Sequence, residues 1–181
     1  APGQQRENIP RALRHAKVFV SIMGSESERT ATFDGLKSTA SHLRSRVGKP
    51  AGSVSAFAIN RETGMLSAVN RQSSMGGGPA HLTVDHGGRN VLVANYGGGS
   101  VAVLPIGPDG ALKPASAFIQ HTGSSVNPER QKQPYAHSVN VDASDRFAYV
   151  TDLGIDKVMI YRLDAARGTL VANDPPVTAT H

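Results

Sequence analysis

Two histidines, His81 and His137, stand near the starts of short apolar, β-branched runs, and Asn127, Arg130, Gln131 and Lys132 cluster just ahead of the second. An imidazole titrates near neutral pH and can bind or relay a proton. A guanidinium can hold a phosphate or carboxylate through two parallel N–H donors. His137 and Arg130 are therefore the candidates for catalysis, with His81 and Gln131 as ligand contacts. Asn95, Tyr96 and Asp152 lie where apolar runs pass into turns and form a second rank of ligand contacts. Each candidate also has a plainer reading, because a histidine opening a strand commonly serves as a hydrogen-bonded structural residue, and Asn or Asp in a turn commonly ties the backbone.

Other chemistries lack their parts. Tyr96-Gly97-Gly98-Gly99-Ser100 sits between two strand-like runs, without the helix N-terminus that a phosphate cradle needs. The chain has no G-x-S-x-G elbow, no H-E-x-x-H and no calcium loop of EF-hand type. Its 7 histidines are scattered without metal-ligand spacing and it has 0 cysteines, so neither a metal nor any other cofactor is expected.

The elements that must position the candidates are read from 79–106, PAHLTVDHGGRNVLVANYGGGSVAVLPI, which holds three β-rich runs parted by Asp85-His86-Gly87-Gly88 and Tyr96-Gly97-Gly98-Gly99. That is the form of an antiparallel meander. The pattern returns: at an offset of 57, Asp85 falls on Asp142, Arg89 on Arg146, Val93 on Val150, Asn95 on Asp152, Gly97 on Gly154 and Val101 on Val158. A half-copy, GSVSAFAINRETGML, matches GSVAVLPIGPDGAL at an offset of 47. The ten-residue difference between the offsets is taken up by the long connection HTGSSVNPERQKQPY at 121–135. Periods of about 40–50 residues with four strands each are those of propeller blades. The expected fold is all-β: a β-propeller of antiparallel four-stranded blades, here an incomplete ring of two and a half to three, with blades at about 52–80, 81–136 and 137–181. In this setting Asn95 and Asp152 are repeat-equivalent, which favours a shared turn or blade-to-blade bond; Asp85, Asp142, Arg89 and Arg146 read as blade architecture.

Composition bounds the rest. With 39% hydrophobic residues in 181 and no tryptophan, a core of Val, Leu, Ile and Ala is expected. The net charge of +5 is local: residues 1–50 carry nine Lys or Arg against four acids, and the remainder ten against ten. The β-region thus offers no basic field, and no nucleic-acid partner is expected. No run of 18 apolar residues occurs and no export signal is visible, so no membrane partner and a cytoplasmic location are expected. The lead segment, 1–51, is atypical: KVFVSIM at 17–23 suits one strand, and Phe33, Leu36, Ala40, Leu43 and Val47 suit one helical face, or else the segment has no fixed fold.

The motifs GSVSAFAI, GGGPAHLTVD, GRNVLVANYGGGSVAVLPI, NPERQ, AHSVNVD and YVTDLGIDKVMIYRLD, in that order over residues 52–174, resemble the lactonase family of seven-bladed β-propellers that includes propeller-type 6-phosphogluconolactonases. The resemblance implies hydrolysis of a sugar-acid lactone, most directly 6-phosphogluconolactone in the pentose phosphate pathway. Arg130 would stabilise the carbonyl as it gains negative charge and His137 would activate water. It also implies a small-molecule lactone as partner, phosphorylated if Arg130 and Lys132 meet a phosphate. Where family loops read Pro-His-Ala-His, this chain has Pro134-Tyr135-Ala136-His137, one histidine fewer. Against a seven-bladed ring the chain is expected to be a partial one, with open blade edges available for self-association. The alternative expectation is a non-catalytic fragment that binds a small molecule or a protein.

Overall fold

A computed structural model describes residues 16–21, 52–60 and 63–180, the first stretch as backbone only. All regular structure among these residues is β: β1 (Ala16–Ser21), β2 (Ser53–Ile59), β3 (Leu66–Ser73), β4 (Pro79–Val84), β5 (Asn90–Asn95), β6 (Ser100–Pro105), β7 (Ala117–Gln120), β8 (Ala136–Val141), β9 (Phe147–Asp152), β10 (Lys157–Asp164) and β11 (Thr169–Ala179). They form three antiparallel sheets, β1-β2-β3, β4-β5-β6-β7 and β8-β9-β10-β11. The strand expected over 17–23 is present as β1, while the helical face expected over 33–47 lies outside the described residues. The second and third sheets span 79–120 and 136–179, so residues 121–135 belong to neither and join the two. Because GSVSAFAI matches GSVAVLPI, β2 corresponds to β6 and β3 to β7. Pairing with β2, β1 then takes the place of a blade's second strand.

The middle sheet is covered on both faces. Val91, Val93, Ala102 and Leu104 pack with Val54, Ala56 and Leu112 toward the first sheet. Leu92, Ala94, Val101 and Val103 pack with Ala136, Val139, Ala148, Val150, Tyr161, Leu163 and Leu170 of the third. Two-sided burial explains why β5 is apolar from Val91 to Ala94 and β6 from Val101 to Pro105 without a break, whereas FAYVTD of β9 alternates, with Ala148 and Val150 buried and Tyr149 exposed. Burying each such Val or Leu contributes about 1.5–3 kcal/mol.

The repeat fixes the turns as well. The Asp85 Oδ1 accepts the N–H groups of Arg89 and Asn90 at 2.6 and 3.2 Å, and Asp142 Oδ1 those of Arg146 and Phe147 at 2.8 and 2.7 Å. Gly88 and its repeat-equivalent Asp145 both adopt positive φ, 66° and 56°, the conformation such a turn demands and one that Gly or Asp tolerates best. Asp145 in turn accepts the His86 and Gly87 N–H groups, each at 2.9 Å, and lies 2.8 Å from His86 Nδ1, clasping the second sheet to the third. Partial desolvation opposes ionisation there, but these donors hold the Asp145 carboxyl below its usual value.

Candidate functional site

The start of β4 pairs with the end of β5 (Pro79↔Asn95) and the start of β8 with the end of β9 (Ala136↔Asp152). His81, Asn95, Tyr96, His137 and Asp152 therefore gather at one end of neighbouring sheets. The two first strands are adjacent, since the Val139 N–H of β8 donates to His81 Nδ1 at 3.3 Å.

The histidines are not, however, at matching places. Both strands begin two or one residues before them, at Pro79 and Ala136, and both shift register near that start, between Pro79 and His81 and between Ala136 and Ser138. At the offset of 57, His81 corresponds to Ser138 and His137 to Ala80, the residue passed over in the shift. A bulge leaves that residue out of the ladder and re-aims its side chain. Accordingly His137 is exposed, while His81 is half-buried against β8.

His137 meets an aromatic pair. Its ring lies edge-on to Tyr96, centroids 5.9 Å apart, and Tyr96 stacks with Tyr135 at 5.0 Å and 29°. Tyr135 is pegged through its backbone: its N–H donates to Asp152 Oδ1 at 2.7 Å and its carbonyl accepts the Leu153 N–H at 3.1 Å.

Asp152 is the buried hub beneath. Its Oδ1 also accepts the Gly154 N–H at 2.9 Å, and its Oδ2 lies 2.6 Å from His121 Nδ1, with both side chains fully enclosed. His121 Nε2 is 3.0 Å from the Tyr161 hydroxyl. Burial, and then the negative charge of Asp152, push the Tyr161 hydroxyl up to about 12, so it keeps its proton. A consistent assignment has Tyr161 donating to Nε2 and His121 Nδ1–H donating to Asp152. Asp152 is thus engaged inside the protein by three residues and, in this structure, turns no free oxygen to a ligand.

Its repeat-equivalent Asn95 has a similar post. Asn95 Nδ2 donates to the Ser74 carbonyl at 3.0 Å and Ser100 Oγ at 3.2 Å, and at the offset of 47 Ser74 corresponds to His121. Both pairs join the residue after one sheet's last strand to the end of the next sheet's second strand. The residues that sequence reasoning had not weighed, His121 and Tyr161, carry only this signal: superposing the two offsets sets His121–Asp152 on Ser74–Asn95.

The 121–135 connection holds Gln131 and Arg130 differently. Gln131 is buried; its Oε1 accepts the Asn127 N–H at 2.8 Å and its Nε2 donates to the Leu153 carbonyl at 2.9 Å and Asp156 Oδ1 at 2.5 Å, pinning the loop to the β9–β10 turn. Arg130 is exposed and its guanidinium makes no hydrogen bond or ion pair among the described residues. Lys132 faces Glu129 at 3.7 Å in solvent. Of the seven candidates, the structure brings Tyr96 and His137 into contact, links Asp152 to them through Tyr135, sets His81 against β8, and uses Asn95 and Gln131 internally. Among the described residues no group of three or more His, Asp or Glu is placed to hold a metal ion, and no helix is long and apolar enough to cross a membrane.

Known proteins with this pattern include lactonases. A family profile described as "Lactonase, 7-bladed beta-propeller" matches residues 31–181. The 6-phosphogluconolactonase of Bacillus subtilis is 37% identical over 112 residues, 62% of this chain and 32% of that protein. The solved periplasmic gluconolactonase of Pseudomonas aeruginosa superposes with a TM-score of 0.67 at 32% identity, over 74% of this chain and 38% of that one. A different relative, the ribosome-binding factor A of Gemmatimonas aurantiaca, is 56% identical over 41 residues, 23% of this chain and 28% of that protein. The chain spans about a third of the length of the lactonases it matches. With the profile covering most of its residues and the blade repeat visible in its sheets, this chain belongs to the seven-bladed β-propeller lactonase family.

Proposed function

We propose that the end of the sheets bearing His137, Tyr96 and Tyr135 is part of a cytoplasmic lactone-hydrolysing site whose substrate is a sugar-acid lactone, 6-phosphogluconolactone first among them. The observation that carries this reading is the exposed His137 set edge-on to Tyr96, 5.9 Å between centroids, in a chain whose relatives are lactonases. His137 would take a proton from water as the water oxygen attacks the lactone carbonyl; the ring C–O bond then breaks and the ring oxygen takes that proton from His137 to leave as a hydroxyl. Arg130, exposed and with no side-chain partner among the described residues, would turn toward the carbonyl oxygen or a phosphate. Hydrolysis of 6-phosphogluconolactone by the purified 181-residue chain should be weak, since the site lacks whatever other blades contribute. His137→Ala should lower even that rate by about 10²-fold or more, the usual worth of a general base. A His137→Ala rate equal to that of the parent would overturn the assignment.

A second reading concerns the segment outside the repeats. A ribosome-binding factor is similar to 41 residues of this chain, and the first fifty residues, ahead of the blade repeats, hold the whole positive surplus. That segment would give the chain a ribosomal contact weakened by salt. Co-sedimentation with ribosomes at low salt, lost on deleting residues 1–50, is the expected result; a deletion without effect would dispose of it.

A further inference from the structure

Resting on the lactonase reading, we infer that Tyr135 is the ring-stacking contact of the site: the apolar face of the sugar ring lies on the Tyr135–Tyr96 pair, with His137 at its edge. The argument begins from what the blades do not require. At the offset of 57, Tyr135 corresponds to Gly78, and the first and second sheets close around that glycine with the same kind of link, Gly97 N–H to the Gly78 carbonyl at 3.4 Å. The blade junction therefore has no need of a large side chain at this place. Tyr96 corresponds to Leu153, which stands exposed in the next turn, so neither member of the tyrosine pair is called for by the repeat.

The backbone around Tyr135 is held far more firmly than its ring is covered. A fully buried carboxylate, braced by His121, accepts its N–H, and Leu153 donates to its carbonyl. Gly154 approaches so closely that a Cβ there would meet the Gln133 carbonyl. The ring itself is only half-buried, as is that of Tyr96. A fixed backbone presenting a partly open aromatic surface beside an exposed imidazole suits a ligand with one apolar face and polar edges, which is the form of a sugar lactone ring. Two rotatable bonds per tyrosine make such a contact cheap in entropy.

The test measures binding of δ-gluconolactam, a hydrolysis-resistant analogue of gluconolactone, by saturation-transfer NMR and tyrosine fluorescence, alongside turnover of 6-phosphogluconolactone. Tyr135→Phe should keep the Kd within about threefold, whereas Tyr135→Leu and Tyr135→Ala should each weaken binding by about tenfold or more with thermal midpoints unchanged. Leucine keeps bulk and apolarity, so its failure to bind isolates the aromatic face. If Tyr135→Leu and Tyr135→Ala bind like the parent while the parent hydrolyses lactone, the stacking inference falls and the lactonase reading stands. If the parent neither binds the lactam nor hydrolyses lactone, both fall.

Discussion

Asp152→Ala is expected to destabilise the chain by about 3–5 kcal/mol, the usual cost of leaving one member of a buried, hydrogen-bonded pair without its partner. The carboxylate accepts from Tyr135 and Gly154 N–H groups and from His121 Nδ1, all out of solvent, so alanine strands three donors at once. Asp152→Asn should cost far less, about 1–2 kcal/mol. Its amide oxygen can still accept the two backbone N–H groups, and its NH₂ can donate to Nδ1 if His121 takes the other tautomer and donates from Nε2 to the Tyr161 oxygen. Asn95, at the equivalent place, shows the donating half of this arrangement, its Nδ2 reaching the Ser74 carbonyl, while its Oδ1 accepts no hydrogen bond among the described residues. Urea denaturation of the parent and both variants measures the gap; equal losses for alanine and asparagine would mean that charge, and not hydrogen bonding, holds the junction.

Gly154→Ala is the second large effect. A Cβ at this position would lie 1.8 Å from the Gln133 carbonyl oxygen and 2.8 Å from the Pro134 Cα, both backbone atoms that no side-chain rotation can clear. The 121–135 connection would have to lift off the β9–β10 turn, breaking the Gly154-to-Asp152 bond with it. A loss of about 2–4 kcal/mol is expected, at or beyond the upper range for overpacking, together with loss of the Tyr96–Tyr135 stack in ring-current NMR shifts. Gly88→Asn is the contrast: nothing lies within 4 Å of its Cβ, and Asp145 already occupies the equivalent positive-φ position, so a change within about 0.5 kcal/mol is expected in the same urea series. A Gly154→Ala protein as stable as the parent would show that the connection is loosely seated.

Much of the architecture was legible because it is local. Strand period, Asp-initiated turns and glycine at positive φ are decided within a few residues, and they recur at an offset of 57, so one meander could be checked against another. The β5 and β6 runs, apolar from Val91 to Ala94 and from Val101 to Pro105, carry the pattern of strands buried on two faces. The candidate site was read less well. His81 and His137 look alike as strand-opening histidines, yet at the offset of 57 they stand one residue apart, and only His137 falls on the position that the register shift leaves out of the ladder. Gln131 and Arg130 are adjacent in the chain, and only folding distinguishes the buried peg from the exposed cation.

From its residues alone this chain specifies short antiparallel strands, the turns between them and their repetition as blades, because those depend on φ/ψ preference and on alternation along a few positions. Which polar groups meet across a junction was decided only in three dimensions. His121 and Asp152 are 31 residues apart, and their partnership exists because two sheets stack and exclude water between them. The apolar pattern that drives this stacking is written in every strand, but the meeting of Tyr96 with both Tyr135 and His137 follows from where the buried carboxylate pins the loop.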